Sequence, residues 1–260
     1  MAPQRSKSFW LMLVSLVFGT NASAEIIYLG FDTNTPVQQY STSGTALGNF
    51  GQDHATGSAL DGLGHVWTVA PSFGNNLIVK YDAAQNVLNS FTATVNGQWI
   101  EDMAHGSGNT LWVGTYEGWI MNIDASTGAV NSQFQLPGNY IGVAFDGTDL
   151  WATPGFFGDD SIFKYDTSGN LLSTIHTGIN GAGGLGYSLD TNTLWAGYAS
   201  GVVDQFGLSG NLLSSFTTVN ASFHDGLEIG NIGGGTIPEP ATLALLGLGL
   251  TGLGFSRRKR

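Results

Sequence analysis

One strand pattern recurs five times between residues 25 and 231, and a period of that size leaves few folds open. Each unit reads as an aromatic-led strand, a loop, a second strand closing on a large apolar residue, a tight turn, and a third strand. The second strand ends at Tyr40, Tyr81, Ile123, Tyr165 and Phe206, with spacings of 41, 42, 42 and 41 residues. The third ends at Phe50, Phe91, Phe134, Ile175 and Phe216, with spacings of 41, 43, 41 and 41. Between them Ser43-Gly44, Gln85-Asn86, Thr127-Gly128, Gly169-Asn170 and Gly210-Asn211 supply residues suited to positive φ in a hairpin. In the third unit the turn gains a residue (Ser126-Thr127-Gly128), and Phe134 is displaced by one with it. An insertion absorbed within one unit marks a repeated structural module.

The leading aromatics are Tyr28, Trp67, Trp112, Trp151 and Trp195. Before each Trp lies a strand of small residues: Ser58-Ala59-Leu60, Met103-Ala104-His105, Val143-Ala144-Phe145 and Leu185-Gly186-Tyr187. Tyr28 has no such strand before it, whereas Gly226-Leu227-Glu228-Ile229 is one with no unit after it. Four strands per unit and five units resemble a β-propeller, whose blades are four-stranded sheets around a central channel. The expected fold is therefore an all-β, five-bladed β-propeller over residues 25–231. Its C-terminal strand becomes the inner strand of the blade begun by Ile26–Gly30 and leaves no open end to the array. Small residues on inner strands suit the narrow end of a wedge, and Trp, Tyr and Phe fill the gaps between blades. A sandwich needs no such regular repeat, and a solenoid needs capping units where these termini complete each other.

Composition agrees. An apolar fraction of 42% with 12% aromatics excludes disorder, and 39 glycines without a three-residue period exclude collagen. The absence of cysteine excludes a disulfide scaffold, a thiolate zinc site and a cysteine nucleophile.

Both ends of the chain read as addresses. Residues 1–24 have the form of a signal peptide: Arg5 and Lys7 ahead of an apolar run from Phe9 to Phe18, then Ala22-Ser23-Ala24 before Glu25. A run of about ten apolar residues is too short to span a bilayer. After a linker at 232–237, Pro238, Glu239 and Pro240 precede an uncharged apolar run from Ala241 to Phe255, closed by Arg257, Arg258, Lys259 and Arg260. Residues 238–260 resemble the PEP-CTERM sorting signal, with its P-E-P triplet, short hydrophobic helix and terminal basic cluster in that order. The resemblance implies the export machinery and the membrane protease exosortase as partners. It further implies an inner-membrane anchor before processing, and a final place at the cell surface or in the extracellular matrix of a Gram-negative bacterium that makes polysaccharide. Fifteen helical residues rise only about 22 Å against a hydrocarbon core of about 30 Å, so the segment spans only with its flanks or by local thinning. The four terminal cations belong on the cytoplasmic side.

The charge divides accordingly. Residues 25–256 hold all 19 acids against only Lys80 and Lys164, a net of −17. Such a body repels nucleic acid and anionic lipid and tolerates cations or neutral glycans.

Two strings match G-x-G-x-x-G, at Gly181–Gly186 and Gly247–Gly252, but neither opens a helix after a strand, so neither is a dinucleotide fingerprint. No H-E-x-x-H, G-x-S-x-G, P-loop or EF-hand string occurs. The one acid–base constellation is Asp53-His54, Glu101-Asp102 and His224-Asp225, each just before or at the start of an inner strand. In a propeller those positions gather at one mouth of the channel, where the set would suit Ca²⁺, Zn²⁺ or a general acid–base pair. Strand-entry Asp residues also cap turns, and His pairs with them, which is the structural alternative. Phe73, Trp99, Tyr116, Phe156, Phe157, Tyr198 and Phe223 lie near the same rim, either as packing between blades or as faces on which sugars stack.

The absence of catalytic strings favours a binding or interaction module, with extracellular polysaccharide as the ligand. The alternative is a carbohydrate hydrolase or lyase using the mouth carboxylates, and a third class is a structural matrix protein without a pocket ligand.

Overall fold

The computed structural model describes residues 25–31, 33–72, 75–95, 98–139, 142–219 and 223–232. The signal segment, the sorting segment with residues 233–237, and Phe73 lie outside the described residues.

The first unit supplies β1 (Ile26–Gly30), β2 (Val37–Ser41) and β3 (Ala46–Phe50), and the second β4 (Gly57–Leu60), β5 (Val66–Ala70), β6 (Asn76–Tyr81) and β7 (Val87–Ala93). The third runs through β8 (Ile100–His105), β9 (Thr110–Thr115), β10 (Trp119–Asp124) and β11 (Val130–Gln135). The fourth holds β12 (Val143–Phe145), β13 (Leu150–Ala152), β14 (Ser161–Tyr165) and β15 (Leu171–His176). The fifth holds β16 (Ala182–Ser188), β17 (Thr193–Tyr198), β18 (Val202–Phe206) and β19 (Leu212–Thr217), and β20 (Gly226–Gly230) follows it. These form five four-stranded antiparallel sheets, and β20 is the inner strand of the first, in register from Ile26↔Gly230 to Gly30↔Gly226. The inner strands β20, β4, β8, β12 and β16 each touch the next, and β16 touches β20. The ring is closed: the protein is a five-bladed β-propeller.

Five apolar clusters fill the five gaps between blades. Leu29, Trp195 and Leu227 join blades 5 and 1; Tyr28, Phe50 and Tyr81 join 1 and 2; Trp67, Met103 and Met121 join 2 and 3. Trp112, Leu150 and Tyr165 join blades 3 and 4, and Trp151, Leu185 and Phe206 join 4 and 5. The repeated Phe of the outer strands has a specific place. A Cβ on Gly44, Gly128 or Gly169 would lie 2.7–2.8 Å from Phe216, Phe91 or Phe134 of the preceding blade. Each hairpin turn thus sits directly on its neighbour's ring, and positive φ at these glycines lets the backbone come so close.

Four blades place the Trp opposite a small inner-strand residue: Trp67↔Ala59, Trp112↔Ala104, Trp151↔Ala144 and Trp195↔Gly186. In the blade closed by β20 the pair is Tyr28↔Glu228, a smaller ring opposite a larger partner. Both body lysines lie over these rings. Lys80 Nζ is 4.5 Å from the Trp67 centroid, and Lys164 Nζ is 5.1 Å from that of Trp151 while pairing with Asp146 and Asp149 at 3.0 and 2.9 Å.

Antiparallel pairing sends the connections alternately to two faces. The hairpins from inner to second strand and from third to outer strand make a turn face. The longer loops from second to third strand, and from each blade to the next, make a loop face. β1 begins and β20 ends on the turn face, paired at Ile26↔Gly230.

Candidate functional site

The sequence places three acid–base pairs at the loop-face mouth, and the structure gives them unlike surroundings. Asp53 is exposed and His54 half-buried in the loop before β4, with His54 Nδ1 3.1 Å from Asn34 Oδ1 and its φ at +61°. His224 is fully buried in the gap between blades 5 and 1. Its ring meets Phe31 edge-on at 5.2 Å, and its Nε2 is 3.3 Å from Thr218 Oγ1. Glu101 and Asp225 are buried, and the Asp225 N–H donates to the Gly30 carbonyl across the blade at 3.1 Å. The six residues do not form a group of three or more side chains able to hold a metal ion, and no such group exists among the described residues. The constellation expected at the mouth thus stands in three separate settings, one at the surface and two enclosed. The physical reason lies in how inner-strand side chains point.

At that level of the ring a Cβ on four of the five inner strands would meet the next blade and not a channel. Two residues before the small partner of each aromatic stand Gly226, Gly57, Asp102, Gly142 and Gly184. A Cβ on Gly226 would lie 2.5 Å from the Thr56 carbonyl oxygen, and on Gly184 2.5 Å from the Gly226 carbonyl carbon. On Gly142 it would lie 2.4 Å from the Gly183 carbonyl oxygen. Four glycines therefore let the inner strands meet backbone to backbone, and the fifth position is an aspartate.

Asp102 fills the space that the glycines leave. Its Oδ2 accepts the N–H of Val143 in blade 4 at 3.2 Å and of Leu185 in blade 5 at 3.1 Å. Its Oδ1 accepts the N–H of Met103 at 2.9 Å and lies 2.7 Å from where a Cβ on Gly226 of blade 1 would stand. Its Cα lies 2.8 Å from the corresponding position on Gly57 of blade 2. One residue borders all five blades. It is fully buried, and burial drives its carboxyl well above the usual carboxylate range despite three N–H donors. A group so enclosed and so fully hydrogen-bonded is a structural pin on the ring axis, out of reach of a substrate.

Glu228 is another buried carboxyl of the inner ring. Burial pushes it up to about 8, against an N–H donated by Ile229 at 2.9 Å, while burial brings His224 down to about 4. Folded Glu228 keeps a proton that the unfolded chain releases, so its contribution is whole below pH 4.5 and is lost as pH rises through 8. Folded His224 releases a proton that the unfolded chain keeps, so its contribution is present above pH 6.5 and is lost as pH falls toward 4. The two oppose each other below pH 6.5, and above it Glu228 acts without His224. Between pH 6.5 and 8 the parent protein should lose about 2 kcal/mol more unfolding free energy than Glu228→Gln. Parallel denaturant-derived profiles for the two proteins would overturn this.

The accessible chemistry lies on the loop face. Trp99, Tyr116, Phe157 and Phe223 are exposed there, and they are all the exposed aromatic side chains among the described residues. Tyr198 is buried and Phe156 packs edge-on against Phe223 at 4.9 Å, so these two of the rim aromatics serve packing. The tight turn Gly155–Gly158, closed by Gly158 N–H to the Gly155 carbonyl at 3.0 Å, turns Phe156 inward and leaves Phe157 88% exposed. Beside Phe157 a groove of about 330 Å³ runs between the loops of blades 3 and 4, lined by Pro137, Asn139, Pro154, Asp159 and Phe163. Phe157 is legible as a rim residue, but its meeting with Asn139 and Asp159 across two blades is not.

Comparison with known proteins bears on the C-terminal segment and on the fold. Residues 236–260 match the PEP-CTERM protein-sorting motif. The chain carries a PEP-CTERM sorting signal. That signal implies an exported protein, anchored in the membrane before processing and processed by exosortase. The match is confined to this segment, and no curated protein matches the chain. Among solved structures, a protein of unknown function from Bacteroides caccae is 9% identical with a TM-score of 0.54, over 80% of this chain and 99% of that one. A chain of a nidogen/laminin complex is 13% identical with a TM-score of 0.56, again over 80% and 99%. At such identities the likeness is one of fold. The PEP-CTERM signal begins four residues beyond Ile232, on the chain that leaves β20 at the turn face.

Proposed function

We propose that this exported propeller is a non-catalytic binding module that presents its loop face to extracellular polysaccharide. The observation that carries the reading is the placing of every exposed aromatic, among the described residues, on the face opposite the one where β20 ends. The segment from Ile232 to Pro238 spans at most about 20 Å when extended, so a membrane-held copy keeps its turn face toward the bilayer. The loop face then points outward with its exposed aromatic rings toward solvent. Aromatic faces flanked by Asn and Asp suit sugars, whose C–H faces stack while their hydroxyls take hydrogen bonds. The enclosure of Asp102 and His224 counts against acid–base chemistry at the mouth.

Retention on immobilised polysaccharides tests this. Trp99→Ala and Phe157→Ala should each weaken binding about tenfold with melting temperature unchanged, since exposed side chains contribute little to stability. Release of new reducing ends would turn the reading into the hydrolytic one. For the sorting signal, co-expression with an exosortase should yield a mature form lacking Arg260 by intact mass. A processed, exported form that still ends in Arg260 would refute cleavage.

A further inference from the structure

The groove beside Phe157 narrows the class of sugar. We infer that it takes a glycan residue bearing a free amine, an N-deacetylated hexosamine, with the ring against Phe157 and the ammonium against Asp159; this rests on the polysaccharide-binding reading above.

The argument is one of charge and shape together. Phe157 and Asp159 line the same groove, two residues apart on one loop, with Asn139 across from them on the loop of the neighbouring blade. The walls are held firm. Gly158 sits so tightly on Pro154 that a Cβ would lie 2.3 Å from the proline ring, and across the groove the Leu136 N–H donates to the Gly118 carbonyl at 2.9 Å. Asp159 is exposed, and its Oδ1 accepts the Ser161 N–H at 2.9 Å, which fixes the carboxylate without neutralising it. The adjacent Asp160 differs, since His176 Nδ1 sits 3.0 Å from its Oδ1 and the Gly178 N–H donates to its Oδ2. Asp159 is therefore the carboxylate left to a ligand.

Among the described residues no lysine or arginine on this face competes for it. Both body lysines lie toward the turn face, Lys164 held by Asp146 and Asp149 and Lys80 over Trp67. A uronic-acid polymer would meet a body of net −17 with no basic group at the groove to receive its carboxylates. A neutral sugar would stack on Phe157 but leave Asp159 without a partner of opposite charge. An ammonium-bearing sugar satisfies both, and a cation near the face of an exposed aromatic is itself favourable.

The test is calorimetric titration of the folded protein with three oligosaccharide sets of equal length: glucosamine oligomers, N-acetylglucosamine oligomers and oligouronates. The glucosamine set should bind at least tenfold more tightly than the N-acetylated set, and the oligouronates not at all. Asp159→Asn should bring the amine preference close to unity while N-acetylated binding persists, and Phe157→Ala should weaken both. Asp53→Asn, on the same face but in the loop before blade 2, should leave the preference in place, which separates groove recognition from general attraction to an acidic body. Equal binding of acetylated and free amines, or a preference insensitive to Asp159→Asn, would overturn the inference and leave polysaccharide binding standing. Failure of every set, together with failure of the immobilised polysaccharides, would remove the binding reading and this inference with it.

Discussion

Asp102→Ala should lower the unfolding free energy by about 3 kcal/mol or more, because three buried N–H groups lose their acceptor together. The substitution orphans the N–H groups of Met103, Val143 and Leu185 at once, in a space with no room for the strands to draw together. Each buried N–H left unsatisfied costs about 1–3 kcal/mol, and the void on the axis adds to it. The strands cannot close that void because their approach is already limited by backbone contact at Gly226, Gly57, Gly142 and Gly184. Asp102→Asn should fall between parent and alanine, since one acceptor remains while the amide nitrogen faces a donor. Asp53→Ala, an acid in the same expected constellation but exposed, should stay within about 0.5 kcal/mol of the parent. Denaturant melts of the three variants decide the matter. If Asp102→Ala and Asp53→Ala proved equally mild, the axis would not depend on the carboxylate.

The larger effect belongs to the closing strand. A chain ending at Asp225 should fail to fold at room temperature, whereas one ending at Asn231 should be as stable as the full body. Loss of β20 removes Leu227 and Ile229 from the cluster between blades 5 and 1, and both are buried. Each is worth about 1.5–3 kcal/mol of transfer free energy, before counting the ladder to β1. The exposed edge of β1 and the unsupported face of blade 5 follow. Together these approach the whole stability of an ordinary domain, about 5–15 kcal/mol. A synthetic peptide covering residues 225–232 should restore near-ultraviolet circular dichroism by adding the missing strand. A native-like spectrum from the shortened chain alone would show that four blades and an open fifth suffice.

Legibility from sequence differs between scaffold and site, and particular residues show why. Positions such as Tyr81, Gly128 and Phe134 recur because local geometry repeats, so counting along the chain finds them. The expected turns carry one positive φ each, at Gly44, Gln85, Gly128, Gly169 and Gly210. Even the exception at Gln85 has a partner, since its Oε1 accepts the Gly51 N–H at 3.2 Å. Glu101-Asp102 was visible as an acidic pair, but residue type alone grouped it with Asp53-His54 and His224-Asp225. Counting two places back from Ala104, as from Ala59, Ala144, Gly186 and Glu228, would have exposed the set of four glycines and one aspartate. That signal is in the sequence, but its meaning depends on the five strands standing side by side.

The sequence by itself determined the period, the number of blades, the strand that closes the ring and the sorting address. Those follow from local geometry and from order along the chain, both of which a one-dimensional pattern carries. Only the tertiary structure decided that Asp102 is sealed on the axis, that His224 lies between blades, and that Phe157, Asp159 and Asn139 share a groove. The reason is physical. Burial and proximity across blades exist only once the ring has closed, and they set whether a carboxylate is a structural pin or a hand held out to a ligand.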